Sequence, residues 1–288
     1  LLNAATVCTD LLGDRVAGLE YSLLDLALNH EVGNRLNEAV ALSNVGMSYL
    51  AFGAFEEAGR HLLEALRLRL APAETWLFSF LLGCVAWSTF LFALAAVGLV
   101  YKDVILVAGL AVIAMATRRP WPKPEPPSRW AWVTAPFFLL YLANALAPEL
   151  SPDGTSYHLG LVSRYYREHG FHGRYENMYA HLSQGMEMLF LSAWAFGRNS
   201  AAAMTHLAFQ CAMPLLMISY GQRFGVGRTA LAAALLVYFT PVFGLDGISA
   251  YNDVAGAAVV FGVFYLIEIW LEERARPLLA AIGLLAGF

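Results

Sequence analysis

Charge is what this sequence is short of. Asp, Glu, Lys and Arg make up 14% of its 288 residues while hydrophobic residues make up 59%, against roughly 25% and 45–50% in soluble domains. A soluble enzyme of ordinary composition is thereby excluded. The 18 basic residues do not outnumber the 22 acidic ones, and a net charge of −4 carries no footprint of a nucleic-acid binder. Cysteine is nearly absent: Cys8, Cys84 and Cys211 lie far apart, which rules out a disulfide framework and a zinc-type spacing. An initiator Met is also missing, and the final run AAIGLLAGF is too short to span a bilayer. The chain is therefore expected to be a fragment, truncated at the C-terminus and at the N-terminus as well.

What is there divides into two unlike parts. Residues 1–71 interleave charge with apolar positions at helical spacing, as in EEAGRHLLEALRLR, the pattern of amphipathic helices. Gly13 and Gly53 stand 40 positions apart, each between helical stretches, which suggests a helix-hairpin repeat. In LSNVGMSYLAFGAFEEAGRHLLEALRL, small Gly46, Gly53, Ala58 and Ala65 let two antiparallel helices approach, and Tyr49 and Phe55 fill the gap. This stretch resembles a tetratricopeptide repeat, which implies a cytoplasmic segment with a protein partner; a generic helical hairpin is the alternative.

Residues 72–288 are expected to form a polytopic α-helical membrane domain, making the whole chain all-α. The run TWLFSFLLGCVAWSTFLFALAAVGLVY exceeds the ~20 residues a helix needs to cross the hydrocarbon core. DVILVAGLAVIAMAT is shorter, and RRPWPKPEPPSR, rich in proline, cannot continue a helix. Further spans are expected in WAWVTAPFFLLYLANALA, AAAMTHLAFQCAMPLLMISYG, TALAAALLVYFTPVFG and VAGAAVVFGVFYLIEIWL. GMEMLFLSAWAFG is apolar for only a dozen residues and is expected to lie on the membrane surface. With that choice Arg67, Arg69, Arg118, Arg119, Lys123, Arg129, Arg223, Arg228, Arg274 and Arg276 fall on one side, which the positive-inside rule makes cytoplasmic. Trp130, Trp132 and Trp270 sit at expected boundaries and read as interfacial anchors.

The other side then receives two acidic loops: Glu149 with Asp153, and Asp246 with Asp253. Between them SYHLGLVSRYYREHG puts Leu159, Val162 and Tyr166 on one face and Arg164, Arg167 and Glu168 elsewhere, as in an amphipathic helix in the membrane plane. The motifs D-x-x-x-Y-H at Asp153, Tyr157 and His158, NMY at Asn177–Tyr179, Glu187 in GMEMLF, THL at Thr205–Leu207, ALLVYFTPVF and AYND at Ala250–Asp253 follow in an order that resembles the GT-C superfamily of integral-membrane glycosyltransferases. The likeness is to bacterial members related to protein mannosyltransferases and the lipid A aminoarabinose transferase.

That resemblance implies transfer of a sugar from a polyprenyl-phosphate donor to a glycan, lipid or protein acceptor on the external, periplasmic face of the cell membrane. It implies that Asp153 is the catalytic acid, that Asp253 supplies a second acidic group with Glu149 beside them, and that Tyr157, Tyr251 and Glu187 support the site. Where the family pattern often has another acid directly after the first, this chain has Gly154. The chemistry suits these residue types: a carboxylate accepts the proton of an attacking hydroxyl, and negative charge stabilises an oxocarbenium-like transition state. Arg164, Arg167, Arg174 and His158 are candidates for the departing phosphate, which a divalent cation, Mg or Mn, would replace or assist.

Plainer roles stand beside these. Asp153 after Pro152, and Asp253 at the start of a span, each suit helix N-caps; Glu187 needs a partner in its apolar setting, for which Arg198 or Arg174 would serve. Two other functions compete: a transporter or flippase, and a non-catalytic membrane scaffold whose repeats recruit partners. Transporter sites are built near the bilayer midplane, whereas these acids lie in loops and at helix ends.

Overall fold

The computed structural model describes residues 70–116, 130–173 and 177–288 together with Leu24, and only the backbone of 111–116, 130 and 131. The repeat-like segment up to residue 69, the proline-rich stretch and Arg174 lie outside the described residues. Within them all regular structure is helical and no strand occurs.

Helix α1 (Pro72–Ala96) starts where Pro72 supplies a preset φ and Glu74 Oε2 accepts from the Ala71 amide at 2.6 Å. Phe78, Leu81, Val85, Leu91 and Ala95 form its buried stripe, while Trp76, Phe90 and Phe92 on the other faces are exposed. An apolar helix with bare aromatic rings on its outside suits a lipid solvent. Helices α2 (Lys102–Ala116) and α3 (Trp130–Ala145) are each roughly 23 Å long, short of the ~30 Å hydrocarbon core. Trp132 on α3 is 78% exposed, as an interfacial anchor requires.

A helical stretch from Pro152 follows, passing through a π-helical turn (Gly154–His158) into α4 (Leu159–Arg167). The buried face of α4 is Leu159, Leu161, Val162 and Tyr165, one register away from the expected face through Tyr166. After a single 3-10 turn (Met178–His181) comes α5 (Gly185–Arg223), broken at Arg198, whose φ of 53° and ψ of −135° are not helical. That break divides the GMEMLF arm from the span after it. Met186 to Leu191 are buried on every side, so the arm is an internal element and not the surface-lying helix the sequence suggested. It is pinned to α1 by Ser88 Oγ donating to Gly185 O at 2.8 Å and Trp87 Nε1 donating to Ser192 Oγ at 3.2 Å.

The far end of α5 meets the start of α1 through Arg223 and Glu74, whose charged atoms lie 3.0 Å apart with side chains 18% and 1% exposed. Removing one member of a buried pair strands the other. Glu74→Ala should therefore lower stability by about 3 kcal/mol, measured as a lower melting temperature of the detergent-solubilised chain; an unchanged melting curve would show that the pair contributes nothing.

Helices α6 (Gly227–Phe239) and α7 (Pro241–Gly247) are joined at a 65° bend. Tyr141 of α3 donates its hydroxyl to Tyr238 O at 2.9 Å beside this bend, and a Cβ on Gly244 would stand 2.7 Å from the same hydroxyl. Only glycine lets α7 come so close. Tyr141, Ala145, Ala203, Leu207 and Tyr238 form the apolar cluster around this junction. Helix α8 (Asp253–Glu273) and α9 (Arg276–Ala286) complete the described elements.

Among the described residues three helices, α1, α5 and α8, are long and apolar enough to cross a membrane, and α6 with α7 makes a fourth if the bent pair counts as one broken span. Contacts divide the chain into two units, with Leu70–Phe261 and Phe288 in one and Gly262–Gly287 in the other. In the second unit, Tyr265, Leu266 and Ile269 are fully buried, and the Arg274 guanidinium stands 4.9 Å from the centroid of the buried Trp270 ring.

Candidate functional site

The acidic loops are built at helix N-termini, where free backbone N–H groups need partners. At the first, the partner is not Asp153. Ser151 is the cap: its hydroxyl accepts from the Gly154 amide at 3.2 Å, and Pro152 takes the first helical position. Asp153 makes no side-chain cap bond and is exposed. Ser-Pro is itself a start signal for a helix, so this assignment was readable in the sequence.

At the second loop two distant side chains cap α8. The Val254 amide donates to Asp246 Oδ2 at 3.1 Å, and the Ala255 amide donates to His206 Nε2 at 3.2 Å. The other ring nitrogen, Nδ1, donates to Ser249 O at 2.9 Å. This defines His206 as a neutral ring with its proton on Nδ1, clamping the loop onto α5. Asp246 and Asp253 lie close enough for their carboxylates to act on one another. Both candidate aspartates are thus relieved of capping.

Glu149 joins the loops. Its Oε1 accepts from the Ser151 amide at 2.9 Å and from the Ser151 hydroxyl, and its Oε2 accepts from the Ala250 amide at 2.7 Å across 101 residues. The absent side chain of Gly154 is what admits it, since a Cβ there would stand 2.8 Å from Glu149 Cδ and 2.6 Å from Ser151 Oγ. Glu149 therefore occupies the room that a second acid after Asp153 would need.

Tyr157 reports that the loops converge. Its phenol is pushed above the ordinary tyrosine range, first by burial, then by the charge of Asp153, by Tyr179 and Tyr251, and by Asp253. Its ring stacks on Tyr179 at 3.9 Å and 10°. His158 Nδ1 lies 2.7 Å from Glu187 Oε1, both side chains 5% exposed, and its ring is tilted 4.4 Å from Tyr157 and 6.0 Å from Tyr251. Glu187 is thus partnered by His158 and forms no ion pair with Arg198, while Arg174 lies outside the described residues. Its second oxygen, Oε2, is buried with no hydrogen-bond partner.

Two expected members stand apart. Helix runs unbroken from Pro152 to Arg167, which places Arg164 and Arg167 roughly 16 and 21 Å along it from Asp153. Arg164 bonds Glu168 Oε1 at 2.8 Å, and the end of this helix is fastened elsewhere by His169, which bonds Val100 O at 3.0 Å and stacks on Tyr101. Among the described residues no three His, Cys, Asp or Glu side chains are arranged to hold a metal ion. With Glu149 saturated by amide and hydroxyl donors and Asp246 committed to α8, the site does not fit a resident divalent cation, whose shell wants several free oxygens.

The class these features define, among the described residues, is an all-helical protein with three helices able to cross a membrane and a polar, acid-rich cluster at helix ends. Comparison of the chain with protein-family models, with curated proteins and with solved structures returns no match.

Proposed function

We propose that this chain is part of a membrane glycosyltransferase of the GT-C type, which transfers a sugar from a polyprenyl-phosphate donor at the Asp153–Asp253 cluster. The observation that carries the reading is the Glu149–Ala250 hydrogen bond, which ties two loops 101 residues apart so that Tyr157 feels both aspartates. Supporting it, Asp153 is exposed and free of structural duty, as a general base must be.

In this reading the acceptor oxygen forms a bond to the anomeric carbon and its proton passes to an Asp153 oxygen. The bond from that carbon to the lipid-phosphate oxygen breaks, and the phosphate leaves with the electron pair. Asp253, adjacent to Asp246, supplies negative charge to the oxocarbenium-like carbon. The stacked Tyr157–Tyr179 pair offers a flat apolar face for the sugar. His158, held by Glu187 beside Tyr157, is the remaining candidate to orient the phosphate; Arg164 and Arg167 are too far along α4 to meet a phosphate there.

The external, periplasmic placement of these loops, and a cytoplasmic position and protein partner for residues 1–71, belong to the same proposal. The test is an assay of membranes carrying the chain, supplied with radiolabelled polyprenyl-phosphate sugars. Label passing into an acceptor fraction supports the reading, whereas membranes carrying the chain that move no label from any such donor would leave the scaffold or flippase alternatives.

A further inference from the structure

We propose that the groove between α5, α6 and α3 binds one anionic phospholipid of the bilayer, with its phosphate at Arg228 and an acyl chain laid between the helices. The groove encloses about 720 Å³, within the roughly 300–1,000 Å³ of small-molecule sites. Its walls are single faces of two helices. Cys211, Leu215, Ile218 and Gln222 recur every three or four residues on α5, and Leu231 and Leu235 do so on α6, the spacing of one helical face. Phe138 of α3 closes the third side, and Leu215 on the rim is 52% exposed, leaving the groove open along its length to an entering chain.

Charge sits at one end only. Gln222 is in the last turn of α5 and Arg228 in the first turn of α6, and both are exposed at the mouth. No acid among the described residues forms an ion pair with Arg228. From Cys211 to Gln222 the helix rises roughly 16 Å, about half of the ~30 Å hydrocarbon core. The groove is one leaflet deep and mostly apolar, with an unpaired guanidinium where a headgroup would lie. A guanidinium matches phosphate oxygens in a fork, and the N–H groups at the start of α6 favour the same charge. A helix from another protein would have to bring its own acid to that mouth, whereas a phospholipid carries both the chain and the counter-charge.

This site is separate from the one proposed for sugar transfer, because Arg228 opens α6 while Asp246 lies near the end of α7. Either proposal can fail without the other.

The test is native mass spectrometry of the purified full chain, offered phosphatidylglycerol, phosphatidylcholine or free glycerol phosphate. One phosphatidylglycerol should be retained with a roughly fivefold preference over phosphatidylcholine, the size expected of one basic residue at an anionic headgroup. Arg228→Ala, at an exposed position, should bring the two lipids to parity, and Arg228→Lys should keep part of the preference. Leu231→Trp, which fills the groove, should reduce retention of both. Equal retention of the two lipids by the unaltered chain would overturn the proposal. So would a preference that survives Arg228→Ala, glycerol phosphate retained as well as the lipid, or a groove occupied by a second copy of the chain.

Discussion

Asp153→Asn is expected to cut sugar transfer by about 10²- to 10⁴-fold, the usual worth of a positioned general base, with no change in yield or melting temperature. The split between the two readouts follows from the geometry. An aspartate that capped its helix would cost about 1 kcal/mol of stability on replacement, but here the cap is Ser151 and the Asp153 carboxylate is exposed. The amide of asparagine keeps the shape and loses only the ability to take a proton. Measured as initial rates in membranes supplied with a polyprenyl-phosphate sugar, a rate within threefold of the unaltered chain would remove Asp153 from the chemistry. A fall in melting temperature would instead point to a structural duty that the hydrogen bonds do not show.

Glu187→Ala is expected to lower stability and transfer together. The carboxylate is buried, its Oε1 is 2.7 Å from His158 Nδ1, and it stands in the first turn of α5, where the helix dipole favours negative charge. Truncation leaves a buried imidazole without its carboxylate partner. A loss of about 3 kcal/mol is expected, read as a lower melting temperature in detergent, and transfer should fall with it as His158 loses its orientation. Glu187→Gln keeps the hydrogen bond without the charge and should lie between the two. If the alanine variant melts with the unaltered chain, the pair is not what holds the aromatic wall of the site.

Composition made the class of fold legible, because a helix-forming chain this poor in charge has few ways to satisfy its backbone other than spanning helices. The division of the GMEMLF arm from the following span was also legible, since the apolar run pauses at Gly197-Arg198-Asn199, and the backbone breaks at Arg198. What failed was anything that depended on packing. The short apolar run of the arm suits a surface, yet Met186 to Leu191 are enclosed, and run length alone does not announce that neighbours will cover every face. The arginines of α4 looked near Asp153 by sequence count, but an unbroken helix converts 11 residues into distance instead of proximity. The His158–Glu187 pair joins residues 29 apart across two elements, and the role of Gly154 is visible only once Glu149 is seen to fill its space. The Ser-Pro start signal was present in plain view and favoured Ser151 over its more acidic neighbour.

The 65° bend between α6 and α7 has one more implication. Proline brings no amide to Pro241, and a sharp turn frees carbonyls that lipid cannot satisfy, at several kcal/mol each. The Tyr141 hydroxyl answers one of them at Tyr238. Helix α3 is thereby a brace: it and the end of α6 cannot part at this bend without giving up the bond to that carbonyl. In the proposed reading, room for a lipid-linked donor is made more easily at the Tyr179 turn, which is held by side-chain hydrogen bonds that water can replace.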